Sequence, residues 1–183
     1  EAFKELIPPE VDVPKKDTKY TVVDTYLYRN AHGAVGFYVD RLEDSTGTHK
    51  KFTQYRKVGG KRANGVEGVT RTLYRLPEIM LGDDILLVEG EKCVKAAFGL
   101  GFNATSGWMD AQAQYLRDKD VTVCPDHGPA AEKWLKSVME SLEGVVKSSR
   151  ICKCPPPYDD IADMAEALGA AAGDAMRAIM DRT

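Results

Sequence analysis

Two acids stand directly behind short apolar runs: Glu89 after Ile85-Leu-Leu-Val88, and Asp126 after Val121-Thr-Val-Cys124-Pro125. Such runs fit strands buried on both faces of a parallel sheet, and open parallel sheets bind ligands beyond the carboxyl ends of their strands. Two carboxylates meeting there suit one hard divalent cation, magnesium or manganese, whose shell is completed by water and substrate phosphates. The simpler alternative is that each acid only sits favourably at the positive end of the next helix. Gly90 and Gly128, close behind the two acids, weigh against it, because a residue without a side chain lets a phosphate or another backbone approach. Lys92, at the start of a predicted helix, opposes the helix dipole. It is therefore expected to meet an anion, either a nucleotide phosphate or the Glu89 and Glu91 carboxylates, unless it points to water.

A second group of residues suits a polyanion. Between positions 50 and 75 lie Lys50, Lys51, Arg56, Lys57, Lys61, Arg62, Arg71 and Arg75, against the single acid Glu67. The net charge of −3 conceals the asymmetry: residues 1–76 carry 14 Lys and Arg against 10 Asp and Glu (+4), and residues 77–183 carry 11 against 18 (−7). A cationic segment beside an acidic one fits nucleic acid held next to a metal site, although a solvated, Lys-rich edge strand would read the same. Tyr55, flanked by Arg56 and Lys57, is a candidate for stacking on a base. Strand alternation sends either Phe52 or Tyr55 into a core. Trp108 is expected to line the cleft and Trp134 to pack. His32 and His49 fall in predicted turns and receive no role.

The elements that position these residues follow from two patterns. Residues 1–18, with three prolines and mixed charge, read as an arm or linker. Residues 20–28, 34–42 and 50–57 read as three antiparallel strands joined by turns, with Gly59, Gly60 and Gly65 marking a loop. Pro77 disfavours a strand or helix running across it. Strands at 85–88, 103–105, 121–124 and 145–151 then alternate with helices at 91–100, 110–117 (N-capped by Asp110) and 129–142, which implies a mainly parallel sheet flanked by helices. Ile161–Leu168 and Ala170–Arg182 read as a helical tail. The expected organisation is an arm (1–18), a basic β-rich subdomain (19–76), an α/β core (77–157) and the tail (158–183).

Composition bounds the remainder. With 43% hydrophobic and 29% charged residues, the chain has the balance of a globular protein, and no apolar run approaches the ~20 residues of a membrane span. The charged start without Met is read as part of something longer, and the location as cytoplasmic. Cys93 and Cys124 sit where buried thiols are common. Cys152 and Cys154 make half a zinc site at most. Free thiols in a reducing compartment are expected.

The Ile85-Leu-Leu-Val-Glu89-Gly90-Glu91-Lys92 segment, followed about 37 residues later by Val121-Thr-Val-Cys-Pro-Asp126, resembles the TOPRIM domain of bacterial-type primases, topoisomerases and some nucleases. Within it, the chain is most similar to primases of phages and mobile elements. Tyr74-Arg-Leu-Pro-Glu78 matches their segment before the first TOPRIM strand, Lys51-Phe-Thr-Gln-Tyr-Arg56 matches an upstream strand, and Asp160 and Asp163 match an Asp-x-x-Asp after the last strand. The resemblance implies that Glu89 binds metal and serves as a general acid/base, with Asp126 and Lys92 beside it. It also implies a divalent cation (Mg2+ or Mn2+), synthesis of RNA primers from ribonucleotides on single-stranded DNA, and a helicase and zinc-binding domain elsewhere. The chain departs from the family at position 128, where Gly128 replaces the second aspartate of Asp-x-Asp, and Asp160 or Asp163 is the candidate substitute. Two other readings therefore stay open: a TOPRIM module that binds nucleic acid without catalysis, and a TOPRIM nuclease.

Overall fold

The computed structural model describes residues 19–107 and 110–182; the arm (1–18) and Trp108 lie outside these. The first half is an antiparallel meander of β1 (Thr21–Arg29), β2 (Val35–Glu43), β3 (Lys50–Val58) and β4 (Lys61–Asn64), in that spatial order. The β1–β2 turn is held by Asn30, whose side-chain oxygen accepts the N–H groups of His32 and Ala34, both at 3.0 Å. In the β2–β3 loop, Asp44 accepts the Thr46 and Thr48 N–H groups and meets His49 Nδ1 at 2.9 Å. The loop expected at 59–65 is a fourth strand. Gly59 and Gly60 both have positive φ (57° and 80°), the conformation of a two-residue hairpin turn whose twist matches its strands, and Val58 pairs directly with Lys61.

The second half is a parallel sheet of order β6-β5-β7-β8, formed by β5 (Asp84–Val88), β6 (Ala104–Thr105), β7 (Asp120–Cys124) and β8 (Ser148–Ile151). Parallel pairing of β5 with β7 sets Val88 against Cys124, so the backbones leading into Glu89 and Asp126 emerge side by side. Alternation along β5 divides the core in two. Leu86 and Val88 pack with α2 (Glu91–Gly99), α4 (Ile161–Leu168) and α5 (Ala171–Met180). Ile85 and Leu87 pack on the opposite face with α1 (Leu76–Ile79), a 3-10 segment (Asp110–Leu116) and α3 (Pro129–Leu142). Ile161, Met164, Ala172 and Met176 are buried in the first core, which makes the C-terminal helices part of the sheet's cover.

Three local expectations are corrected. The segment around Pro77 starts a helical turn, since proline is tolerated in a first turn where its missing N–H has no partner to lose. The 110–117 helix is a 3-10 segment. The last strand begins at Ser148, because the Val145 N–H bonds back to Leu142 O and its carbonyl accepts the Asp118 N–H, holding 145–147 in a connecting turn.

The two sheets meet through β1 and α2. Tyr28 donates its hydroxyl to Glu91 Oε1 (2.7 Å), and Lys95 reaches Asp24 at 2.6 Å. Tyr74 packs edge-on to Tyr26 (centroids 5.8 Å apart) and beside Tyr28 (5.4 Å). Tyr28 is buried and bonded to a carboxylate, a kind of hydrogen bond worth about 1.5–3 kcal/mol. Lys95–Asp24 is half exposed, of a class worth under about 1 kcal/mol. Urea melts of Tyr28→Phe should therefore show a loss in the first range and those of Lys95→Ala one in the second; equal losses would mean the seam does not rest on Tyr28.

Candidate cation and nucleic-acid cleft

At the carboxyl ends of β5 and β7, the two sheets enclose a cavity of about 310 Å3. One wall is basic and aromatic: Arg41, Lys50 and Phe52 of the meander. The other is acidic: Asp126, Asp159, Asp160 and Asp163, with the first turn of α2 (Glu91 to Cys93). The connections after β5 and β7 place the acidic wall. Gly90, extended at φ −130°, is the N-cap of α2, so Lys92 and Cys93 occupy its first turn. The loop after β7 is tied to the loop before α4 by the His127 N–H to Asp159 O (3.1 Å) and by His127 Nε2 against Cys154 O (2.9 Å). That tie brings Asp160 to Asp126.

Three donor atoms converge. Cys93 Sγ and one carboxylate oxygen each from Asp126 and Asp160 lie within 4.8 Å of one another. Glu89 stands beside this trio and does not line the cavity; its Oε1 accepts the backbone N–H of Asp126 at 3.1 Å. Asp163 faces Lys92 at 3.6 Å, so the anion expected near Lys92 is supplied by α4 and not by Glu89 or Glu91. The Asp-x-x-Asp spacing also has a local cause, because Asp160 N-caps α4 by accepting the Asp163 N–H at 2.8 Å. Asp126 is pushed up to about 6, first by burial and then by Glu89 and Asp160, with Lys50 acting in the opposite direction. A half-buried carboxylate that gathers other carboxylates around it belongs to a donor set suited to a divalent cation.

Position 128 has a conformational explanation. Gly128 adopts φ 112°, ψ 171° as N-cap of α3, a region open essentially to glycine alone, although a Cβ there would meet nothing within 4 Å. Space exists for a side chain, but the backbone disfavours one.

The basic residues separate into two groups. Arg62 bonds buried Asp40 at 2.6 Å and covers the Tyr55 ring at 3.8 Å, while Tyr38 stacks on the other face at 4.8 Å. Tyr55 is thus enclosed, and the exposed aromatic at the cleft is Phe52, 50% accessible. Arg56 pairs with Glu67 at 2.9 Å, and Arg75 pairs with Glu78 at 2.9 Å and covers Phe98 at 3.5 Å. Lys51 lies over Tyr20 (3.9 Å) and Lys57 over Tyr38 (5.0 Å). Lys50 lines the cleft and Lys61 is exposed. Arg71 lines a neighbouring cavity of about 250 Å3 with Gln54, Gln112 and Glu91. Cys93 and Phe52 were not singled out as site residues from sequence; the only available signal was that Cys93 lies four residues after Glu89.

No protein-family model matches the sequence, and no curated protein matches it. Solved structures do. The Aquifex aeolicus primase, comprising zinc-binding and RNA polymerase domains, superposes with a TM-score of 0.63 at 18% identity, over 86% of this chain and 39% of that one. The chain has a primase-type fold. The RNA polymerase domain of Mycobacterium tuberculosis primase DnaG also matches, in complex with a double-stranded DNA oligomer bearing a 6-nucleotide overhang (TM-score 0.55, 18% identity) and with a double-stranded DNA (0.58, 17%). Each match covers 84% of this chain and 52% of that one, so the chain spans about half or less of the solved chains' length. At these identities the likeness is one of fold. Among the described residues, no helix is long and apolar enough to cross a membrane.

The raised Asp126 pKa has a stability consequence of definite sign. Between about pH 4 and 6 the folded state binds the extra proton, so this group's contribution to stability falls as pH rises through that window and stays lost above it. In metal-free urea melts, Asp126→Asn should be more stable than wild type by about 1–2 kcal/mol at pH 7.5, allowing for screening by solvent, with the gap closing near pH 4. A gap independent of pH would show that Asp126 ionises normally. Separately, Gly128→Asp should cost about 1–3 kcal/mol from its backbone alone, measurable by the same melts in EDTA.

Proposed function

We propose that this chain is the primer-synthesising core of a primase from a phage or mobile element, acting on single-stranded DNA with ribonucleotides. The observation that carries this reading is the cleft. Asp126 and Asp160 converge beyond the ends of parallel strands, directly opposite Lys50 and Phe52 of a basic sheet, on a fold shared with primase RNA polymerase domains. The Tyr74–Glu78 and Lys51–Arg56 segments favour primases over nucleases. Asp126 and Asp160 are the residues that would hold magnesium or manganese, with Glu89 adjacent. Such an ion supplies charge neutralisation on the phosphates being transferred.

The chain's own residues do the rest. Lys50, Arg41 and Lys92 bring positive charge to the phosphates at the mouth of the cleft. Phe52, half exposed beside them, offers a ring face to a base. Glu89, held by the Asp126 N–H, orients the β7 loop and is the general base candidate for the attacking hydroxyl. Lys51, Lys57, Lys61 and Arg71 extend the cationic track for the template. A helicase and a zinc-binding domain complete the proposed assembly. Gly128 favours a second reading, a module that binds nucleic acid without polymerising it.

Labelled ribonucleotides on single-stranded DNA with Mg2+ or Mn2+ test the choice, with a cleavage assay alongside. Primers should form, and Glu89→Gln or Asp126→Asn should reduce them about a hundredfold or more. Binding without synthesis selects the second reading, and cleavage selects a nuclease.

DNA binding supplies an independent check. The log–log salt slope should be about −0.7 per phosphate neutralised, and Lys50→Ala with Lys51→Ala should flatten it by roughly one to two units. Arg62→Ala should act chiefly on stability, because it leaves the buried Asp40 carboxylate with the Thr25 hydroxyl but without its charged partner. An unchanged slope in the lysine double variant would remove the basic sheet from the interface.

A further inference from the structure

We propose that Cys93 is the third protein ligand of the cation site, and that its sulfur makes the site take a thiophilic divalent ion, of the zinc and cobalt(II) class, in preference to magnesium. The inference rests on the reading of this cleft as a cation site and concerns which ion it selects.

The residues carry the argument. Cys93 is 4% exposed, and what it exposes lines the cavity. Its thiol faces the Asp160 and Asp126 carboxylates. The three donor atoms already lie within 4.8 Å of one another. Ligands of a tetrahedral ion with metal–sulfur and metal–oxygen bonds of ~2.3 and ~2.0 Å stand about 3.5 Å apart, a spacing close to the one the three donors already have. Three protein ligands leave one position open, as in catalytic rather than structural zinc sites. That position faces a cavity rimmed by Lys50, Arg41 and Lys92, where a phosphate oxygen or water fits.

The alternatives are weaker. Magnesium prefers six oxygens in octahedral array, and here the third donor of the cluster is sulfur. Gly128 supplies no carboxylate that would restore an all-oxygen set. Sulfur shifts affinity toward zinc and cobalt, and a bound ion of that kind deprotonates the thiol. Cys124, Cys152 and Cys154 are buried in the same core but do not belong to this cluster.

Cobalt(II) reports sulfur ligation directly through a thiolate-to-metal charge-transfer band in the near ultraviolet. The intact chain should show this band on titration with cobalt chloride, and zinc should abolish it at far lower concentration than magnesium. Cys93→Ser should lose the band and bind cobalt about tenfold or more weakly. Cys93→Asp should lose the band but gain magnesium affinity. Cys124→Ala and Cys152→Ala should keep the band, with circular dichroism confirming each fold.

Cobalt binding without the band, or a band that survives in Cys93→Ser, would overturn the inference while leaving the cation site intact. Cobalt binding unaffected by both Asp126→Asn and Cys93→Ser would remove the cation site from this cleft, and the proposed function with it.

Discussion

Burial of mutually repelling carboxylates at the ends of β5 and β7 is the constraint on which the rest of the molecule depends. Glu89, Asp126, Asp160 and Asp163 crowd a partly buried space, and Asp126 responds by holding its proton to about 6. Such an arrangement persists only where the fold supplies compensating positive charge or a ligand does. The chain supplies some of it. Lys92 answers Asp163, Lys50 leans in from the opposite sheet, and the Asp126 N–H is given to Glu89. What remains uncompensated is the negative potential of the cleft floor.

The meander is therefore more than an appendage. Its position is fixed by a small aromatic and polar seam in which Tyr74 packs both on the meander's Tyr26 and Tyr28 and on the core beneath α2, and Tyr28 is bonded to Glu91. Because Glu91 opens the helix that carries Lys92 and Cys93, the same hydrogen bond that joins the sheets also sets the first turn of α2 against the cavity. Packing and chemistry share one element, α2, with Glu91 at the seam and Cys93 at the cavity.

Much of this was legible in the sequence. The runs 85–88 and 121–124 are continuously apolar because both faces of the sheet are covered, and an acid after such a run has few places to go. The polar strand 61–64 was not legible: Lys-Arg-Ala-Asn has no β signature, and only the Gly59–Gly60 turn makes it pair. The basic cluster was overread, because composition counts charges without their partners. Arg62 pairs with Asp40, 22 residues away, and Arg56 with Glu67, 11 residues away, distances at which local pattern says nothing. Tyr55 and Phe52 exchanged roles for a similar reason, since alternation tells that the two differ but not which faces inward. Cys93 stayed hidden because a core thiol and a cavity-lining thiol occupy the same helical positions.

The backbone at Gly128 has an evolutionary consequence. A loop whose dihedrals admit essentially only glycine cannot accept an aspartate by one codon change without strain, even though the space for it is open. A side chain there needs a second, permissive change in the turn before α3, and neither step alone is rewarded. Any lineage carrying this loop is therefore more easily driven to adapt the donors already at the site than to add one at position 128. Drift in sequence at the cleft should then concentrate on α2 and the loop before α4, while the turn itself stays still.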